Sequence, residues 1–99
     1  MCEIYVKADP RLYQKRRRSL RVGGVVTTLS LENQFWDTLE EMAAGEAISM
    51  PQLVGKLYQE VMDYHGEVSN FASFLRVCCM RYTTQVLPLQ QAQNARQAS

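Results

Sequence analysis

The pattern of apolar and polar positions changes period twice along this chain. Val25-Val26-Thr27-Thr28-Leu29-Ser30-Leu31 is free of charge and rich in β-branched residues, which predicts a strand. A period of two places Val25, Thr27, Leu29 and Leu31 on a core face, and Val26, Thr28 and Ser30 on a small, largely polar outward face. From residue 33 the apolar spacing becomes helical, through Phe35, Trp36, Leu39, Met42 and Ala43, with Asp37, Glu40 and Glu41 on the wet side. Glu32 or Asn33 is expected to cap this first helix, and Gly45 to end it in a left-handed conformation. Ser49-Met50-Pro51-Gln52 combines a hydroxyl cap, a first-turn proline and a Gln three residues after the Ser, so a second helix starts at Met50. Its stripe of Leu53, Leu57 and Val61, flanked by Val54, Tyr58 and Met62, runs to about residue 64, with Gly66 as its stop. Ser69 or Asn70 caps a third helix whose residues Phe71, Ala72, Phe74, Leu75, Val77, Cys78, Cys79, Met80 and Tyr82 are apolar nearly all the way round. Three helices of one chain offer too few neighbours to enclose it, which places it near a subunit interface.

The flanks are leaner. Cys2-Glu3-Ile4-Tyr5-Val6 alternates in polarity and reads as a short strand or a leader without structure, broken by Asp9-Pro10. Residues 11–18 form a charge run, so that residues 1–18 are expected to be a basic arm and residues 19–84 the folded domain. The polar, biased segment of residues 85–99 is expected to be disordered. Gly23-Gly24 between two short apolar stretches also signals a two-residue hairpin turn. That second reading pairs the strand within one chain, and it ranks behind pairing between chains because residues 18–22 are short and charged, though the two coexist if the hairpin sits beside the ribbon.

Charge sharpens this organisation. The first 24 residues carry seven basic side chains against two acidic ones, a net of +5, whereas the remainder carries four against eight, a net of −4. A basic segment on a mildly acidic body suits a molecule with one surface for a polyanion; a solubilising tail is the bland alternative. No apolar run approaches the roughly 18 residues of a membrane helix, and a secretory apolar stretch is missing, so a cytoplasmic protein without membrane partners is expected. Three cysteines, two of them the neighbours Cys78 and Cys79, read as reduced core thiols rather than as a disulfide framework or a metal site. His65 is isolated, and neither a phosphate loop nor a nucleophile-base-acid pattern is present. The expectation is therefore no enzyme, no catalytic residue, no metal and no cofactor.

A single strand leaves its backbone donors and acceptors unpaired, so something must pair with it. Arg18-Ser19-Leu20-Arg21 leading through Thr27-Thr28-Leu29-Ser30-Leu31-Glu32 to Phe35-Trp36-Asp37, then Ile48-Ser49 with Leu53-Val54, then Asn70-Phe71-Ala72-Ser73-Phe74-Leu75-Arg76, resemble in that order the ribbon-helix-helix superfamily of the Arc and methionine repressors. The likeness covers residues 18–82 and is closest to a bacterial subgroup with an appended third helix. It implies a mainly α fold with one short strand per chain, forming an intertwined homodimer with an intermolecular antiparallel ribbon. It further implies that the ribbon enters the major groove, with Val26, Thr28 and Ser30 meeting base edges, and that the start of the second helix grips a phosphate. A helix N-terminus has its own reason to do so, with Ser49 and the amides of Met50 and Gln52 as donors, since Pro51 has none.

Arg16, Arg17, Arg18 and Arg21 complete the expected phosphate contacts, and Leu29, Leu31, Phe35, Trp36, Leu39, Leu53, Leu57, Phe71 and Leu75 the expected dimer core. The outward strand face lacks the Arg, Asn or Gln that recognise purines in bidentate fashion, so sequence-tolerant binding is expected. A solvent-facing strand with no ligand is the competing reading of those three positions. For Phe35 and Trp36 packing outweighs base stacking, and Arg76, on an apolar helix, is expected to pair with a carboxylate across the dimer interface rather than with a phosphate. The expected function is a dimeric DNA-binding regulator or repressor, nucleoid-associated when bound to double-stranded DNA. The alternative is an antitoxin-like or adaptor module whose helical body or tail binds a protein partner.

Overall fold

The computed structural model describes residues 2–98. A five-residue helix α1 (Cys2–Val6) and a 3-10 turn (Pro10–Tyr13) precede two strands, β1 (Lys15–Val22) and β2 (Val25–Glu32). Helices α2 (Asn33–Gly45), α3 (Met50–His65) and α4 (Phe71–Arg81) follow, and a π turn (Tyr82–Val86) leads into α5 (Leu87–Ala98).

The strand predicted at residues 25–31 is present, but its partner is β1 of the same chain. The two strands form one antiparallel hairpin, in register from Lys15 opposite Glu32 to Val22 opposite Val25. The expectation of one strand per chain is corrected here, since β2 finds a partner along one edge within its own chain. The cause is Gly23-Gly24, whose φ values of 60° and 81° supply the two left-handed residues that a tight two-residue turn requires. Arg16, Arg17 and Arg18 therefore belong to a strand, not to a loose arm. A charge run fits a strand when alternate residues point to opposite faces. Leu20 and Val22 are buried on one face, while Arg17, Ser19 and Arg21 are exposed on the other.

Gly23 is also a point of close approach, because a Cβ built there would lie 2.7 Å from Cε1 of Tyr58, whereas one on Gly24 meets nothing within 4 Å. Both glycines should resist substitution, by about 1–2 kcal/mol for the left-handed backbone alone. Gly23→Ala is expected to destabilise more than Gly24→Ala in urea unfolding, since only the first must displace Tyr58. Equal losses would show that the tyrosine yields freely.

The inner face of the hairpin lies on the helices. Leu20, Val22, Leu29 and Leu31 join Trp36, Leu39 and Ala43 of α2, Met50, Leu53 and Val54 of α3, and Leu75 and Cys79 of α4 in one core. Phe35, Leu57 and Phe71 are half-buried against it. Of the nine residues assigned to a shared dimer core, Leu29, Leu31, Trp36, Leu39, Leu53 and Leu75 are buried within one chain, whereas Phe35, Leu57 and Phe71 keep part of their surface exposed. Nor is α4 enclosed on all sides, since Val77 and Met80 are more than half exposed.

The helix ends follow the sequence with two exceptions, the first being that Glu32 stands at the N-cap of α2 without a side-chain cap bond and the Asn33 side chain donates to the Arg11 carbonyl instead. Ser49 and Gln52 form the full capping box, Gly66 ends α3 at φ 79°, and the Asn70 side chain accepts from the Ser73 N–H. Gly45, by contrast, closes α2 as a helical residue, and the left-handed conformation falls on Ala47 at φ 57°.

Both flanks are helical where their composition suggested otherwise. Residues 2–6 form α1, supported by the Glu3–Lys7 pair one helical turn apart at 3.6 Å. Five residues of alternating polarity satisfy a short helix as well as a strand. In the tail, α5 occupies residues expected to be disordered; Leu, Gln, Ala and Arg favour helix, and Pro88 falls in the first turn, where a missing N–H is tolerated. Met1 and Ser99, the outermost residues of the expected arm and tail, lie outside the described residues. The π turn between α4 and α5 has a local cause. The hydroxyls of Thr83 and Thr84 donate to carbonyls one turn back, Thr83 to Cys79 and Met80 and Thr84 to Met80, interrupting the regular ladder.

Candidate nucleic-acid interface

Cross-strand register decides which side chains share the outer face of the hairpin. Arg17 lies opposite Ser30, Ser19 opposite Thr28 and Arg21 opposite Val26. All of these but the half-buried Ser30 are exposed, and Val26, an apolar residue, is 64% accessible. The Ser19 and Thr28 hydroxyls lie 3.1 Å apart at the centre of the face, hydrogen-bonded across the strands. Arg17 and Arg21 stand about 14 Å apart along β1 at the usual strand rise. No ion pair engages either of them among the described residues, so their charge faces outward.

The other two arginines of the run behave differently. Arg18 points inward, its guanidinium 5.3 Å from the centre of the Trp36 ring and 3.4 Å from the Glu40 carboxylate. Arg16 shares that face: its carbonyl accepts the Trp36 indole N–H at 2.8 Å, and it borders a polar hollow with Asp9, Arg11, Leu12, Asn33 and Asp37. Of the four arginines assigned to phosphate, the hairpin brings Arg17 and Arg21 onto the outer face and turns Arg16 and Arg18 toward α2. A period of two applied to residues 15–22 carries that signal. It is hidden only when the run is treated as an unstructured arm.

The start of α3 is less open than its sequence suggests. Gln52 donates its N–H to Ser49 Oγ at 3.2 Å and accepts the Ser49 N–H on its side-chain oxygen at 2.9 Å. Pro51 has no N–H and the Met50 side chain is buried, so a phosphate would meet the Met50 amide and must otherwise compete with the cap.

Arg76 finds its carboxylate within its own chain, not across a dimer interface, because the end of β2 lies beside α4. Its Nε donates to Glu32 Oε1 at 2.9 Å, and its Nη2 reaches the Ser30 carbonyl at 3.4 Å. The Glu32 carboxyl is held below its usual range, by its own backbone N–H first and by Arg76 second. Burial pushes the Cys79 thiol up to about 12, with Cys78 beside it adding to the shift, and burial raises Cys78 as well. Burial thus favours the protonated thiol at both positions. His65 sits exposed at the end of α3, edge-on to Tyr64. Among the described residues no helix is long and apolar enough to cross a membrane.

The order of elements, with a strand running directly into two capped helices, is matched by the family model for a ribbon-helix-helix domain over residues 15–83. The chain belongs to the ribbon-helix-helix family. The match begins at the first residue of β1 and ends just past α4, so the hairpin and the third core helix are inside the ribbon-helix-helix domain. Such domains are typically DNA-binding modules rather than enzymes, and they generally bind DNA as dimers. Among solved structures, this ribbon-helix-helix chain is similar to an uncharacterized protein from Bordetella pertussis Tohama I. The two are 50% identical with a TM-score of 0.83, over 92% of this chain and 71% of that one. Among curated proteins, none matches.

Proposed function

We propose that the protein is a DNA-binding transcriptional regulator that acts as a homodimer, with the outer face of its hairpin against the major groove. The observation that carries this reading is the outer face itself: two outward arginines, in no ion pair among the described residues, flank a row of small side chains on a strand pair that the helices support only from behind. Val26, Thr28 and Ser30 meet base edges, and Arg17 and Arg21 meet phosphates.

Geometry supports that division of labour. In a two-residue turn the Val25 N–H bonds back to the Val22 carbonyl, so alternation turns the backbone groups of Val26, Thr28 and Ser30 to the outer edge of β2. That edge pairs with the same strand of a second copy, the Ser30 carbonyl using one lone pair there and the other for Arg76 of its own chain, giving a sheet with two β2 strands at its centre and a β1 on each flank. Four strands span about 14 Å between their outer axes, more than the roughly 12 Å width of the major groove. The central pair enters the groove, and each β1 rides over a phosphate backbone. Contacts from Val26, Thr28 and Ser30 discriminate weakly, because a methyl contact and single hydroxyls accept several bases. Binding is sequence-tolerant, and such a regulator works in the cytoplasm on the nucleoid.

Titration of random-sequence duplex DNA at two salt concentrations tests the reading, with steeply salt-sensitive binding expected. For the dimer, the thermal midpoint is expected to rise with protein concentration and the mass to be that of two chains. A monomeric mass with a concentration-independent midpoint removes the dimer. A second reading, a module that binds another protein, is favoured by the exposed Val77, Met80 and Leu89 on the C-terminal helices. Loss of the first reading at low salt would leave this one.

A further inference from the structure

Beyond the hairpin face, one feature touches the reading strand directly, and it lies on α4, the third core helix. Arg76 of α4 grips the end of β2 at two points, the Ser30 carbonyl and the Glu32 carboxylate, and its guanidinium stands 6.0 Å from the centre of the Phe35 ring. Arg76 and Glu32 are each only 27% exposed, so the pair is partly withdrawn from solvent and its geometry is constrained by packing.

Glu32 occupies the N-cap of α2, where an acceptor side chain ordinarily satisfies an orphan N–H. Here it makes no side-chain cap bond. Its carboxylate is turned to Arg76 instead. The joint between the strand and α2 is thus fixed by a helix 44 residues further along the chain. Ser30 is the last outward-facing side chain before that joint, and its own carbonyl is held. We propose that Arg76 is a positioning residue for DNA recognition: by clamping Ser30 and Glu32 it fixes where the end of the reading strand lies against the bases, without touching DNA itself.

This inference rests on the proposed DNA-binding function, and the experiment separates the two. The full-length chain is used to select duplexes from a randomised library. The wild type, Arg76→Met, Arg76→Lys and Glu32→Gln are then compared on the selected duplex and a scrambled one across a salt series. The clamp predicts that Arg76→Met loses most of the wild-type ratio of selected to scrambled affinity, and that Arg76→Lys and Glu32→Gln, which remove part of the clamp, lose a smaller share of it. The salt slope stays at the wild-type value, because the phosphate contacts of Arg17 and Arg21 are untouched. It also predicts that the lost discrimination concentrates at the base pairs nearest Ser30. Glu32→Gln preserves shape and removes only the charge, so it answers the question even where Arg76→Met fails to fold. Folded variants with the wild-type ratio overturn the clamp and leave the DNA-binding reading standing. A fall in affinity for both duplexes alike overturns it too, as general loosening. A wild type that binds no duplex overturns the proposed function and the clamp together.

Discussion

Trp36→Ala is expected to remove about 3–5 kcal/mol of stability, the usual cost of emptying a large aromatic site in a core. Against a total of about 5–15 kcal/mol for a domain, that is a large fraction. Trp36 is fully buried, and three elements depend on it. Its ring fills the space between α2 and the hairpin, its indole N–H is bonded to the Arg16 carbonyl at 2.8 Å, and Arg18 lies over its face. The alanine variant therefore opens a cavity and at the same time frees β1, the strand with the least apolar content. Urea unfolding followed by circular dichroism is the measurement, and a fall of the midpoint by at least about 1 M urea is expected, at roughly 1–3 kcal/mol per molar. Trp36→Phe serves as the comparison, since it keeps much of the volume and loses mainly the hydrogen bond, worth about 1 kcal/mol. A loss below about 1 kcal/mol for the alanine variant would show that β1 is held by its pairing with β2 alone.

The dependence of β1 on that indole also explains what is legible in the sequence. The segments that announce themselves are those whose own residues repeat at one period. The uncharged β-branched run of β2 and the stripes of α2 and α3 need no tertiary information, and the capping signals at Ser49 and Asn70 are local hydrogen-bonding chemistry. β1 is different. Lys15-Arg16-Arg17-Arg18 has no apolar residue in alternation, and it is ordered because Arg18 packs on Trp36 and the Arg16 carbonyl accepts its indole N–H. Contacts 18 to 20 residues away are invisible to a window of local periodicity. The turn signal Gly23-Gly24 is visible, yet the charged strand on its N-terminal side draws its stability from elsewhere. The helix at residues 87–98 escapes a reading of composition for the opposite reason. A segment poor in large apolar side chains argues against a core, but it does not argue against helix, and Gln, Ala and Leu propagate one that α4 and the π turn have already nucleated.

The candidate interface divides along the same line. Val26, Thr28 and Ser30 follow from the alternation of β2 alone. Separating Arg17 and Arg21 from Arg16 and Arg18 needs β1 to be a strand, because only the alternation of a paired strand sends neighbours in a run of like charges to opposite faces. The Glu32 partner of Arg76 is 44 residues away and has no sequence signal at all.

The double charge reversal Arg17→Glu with Arg21→Glu is expected to lower affinity for duplex DNA by two orders of magnitude or more, on the order of what losing several phosphate contacts costs at moderate salt. Both side chains are exposed on the outer face and neither is in an ion pair among the described residues, so their removal leaves no buried partner and should leave the fold intact. The slope of log affinity against log salt carries the sharper information. Each phosphate neutralised contributes about −0.9, so loss of two contacts per chain in a dimer should flatten it by roughly 3 to 4 units. Arg81→Glu, an exposed position on α4 away from the hairpin, is the matched control and should change the slope little. Arg18→Glu is the contrasting case: it places like charge against Glu40 and removes the cation over Trp36, so its expected signature is a loss of stability. A slope that stays at the wild-type value in the double variant, with the protein folded and dimeric, would mean that the outer face of β1 does not meet the phosphates. The hairpin would then have to engage DNA through β2 alone or not at all.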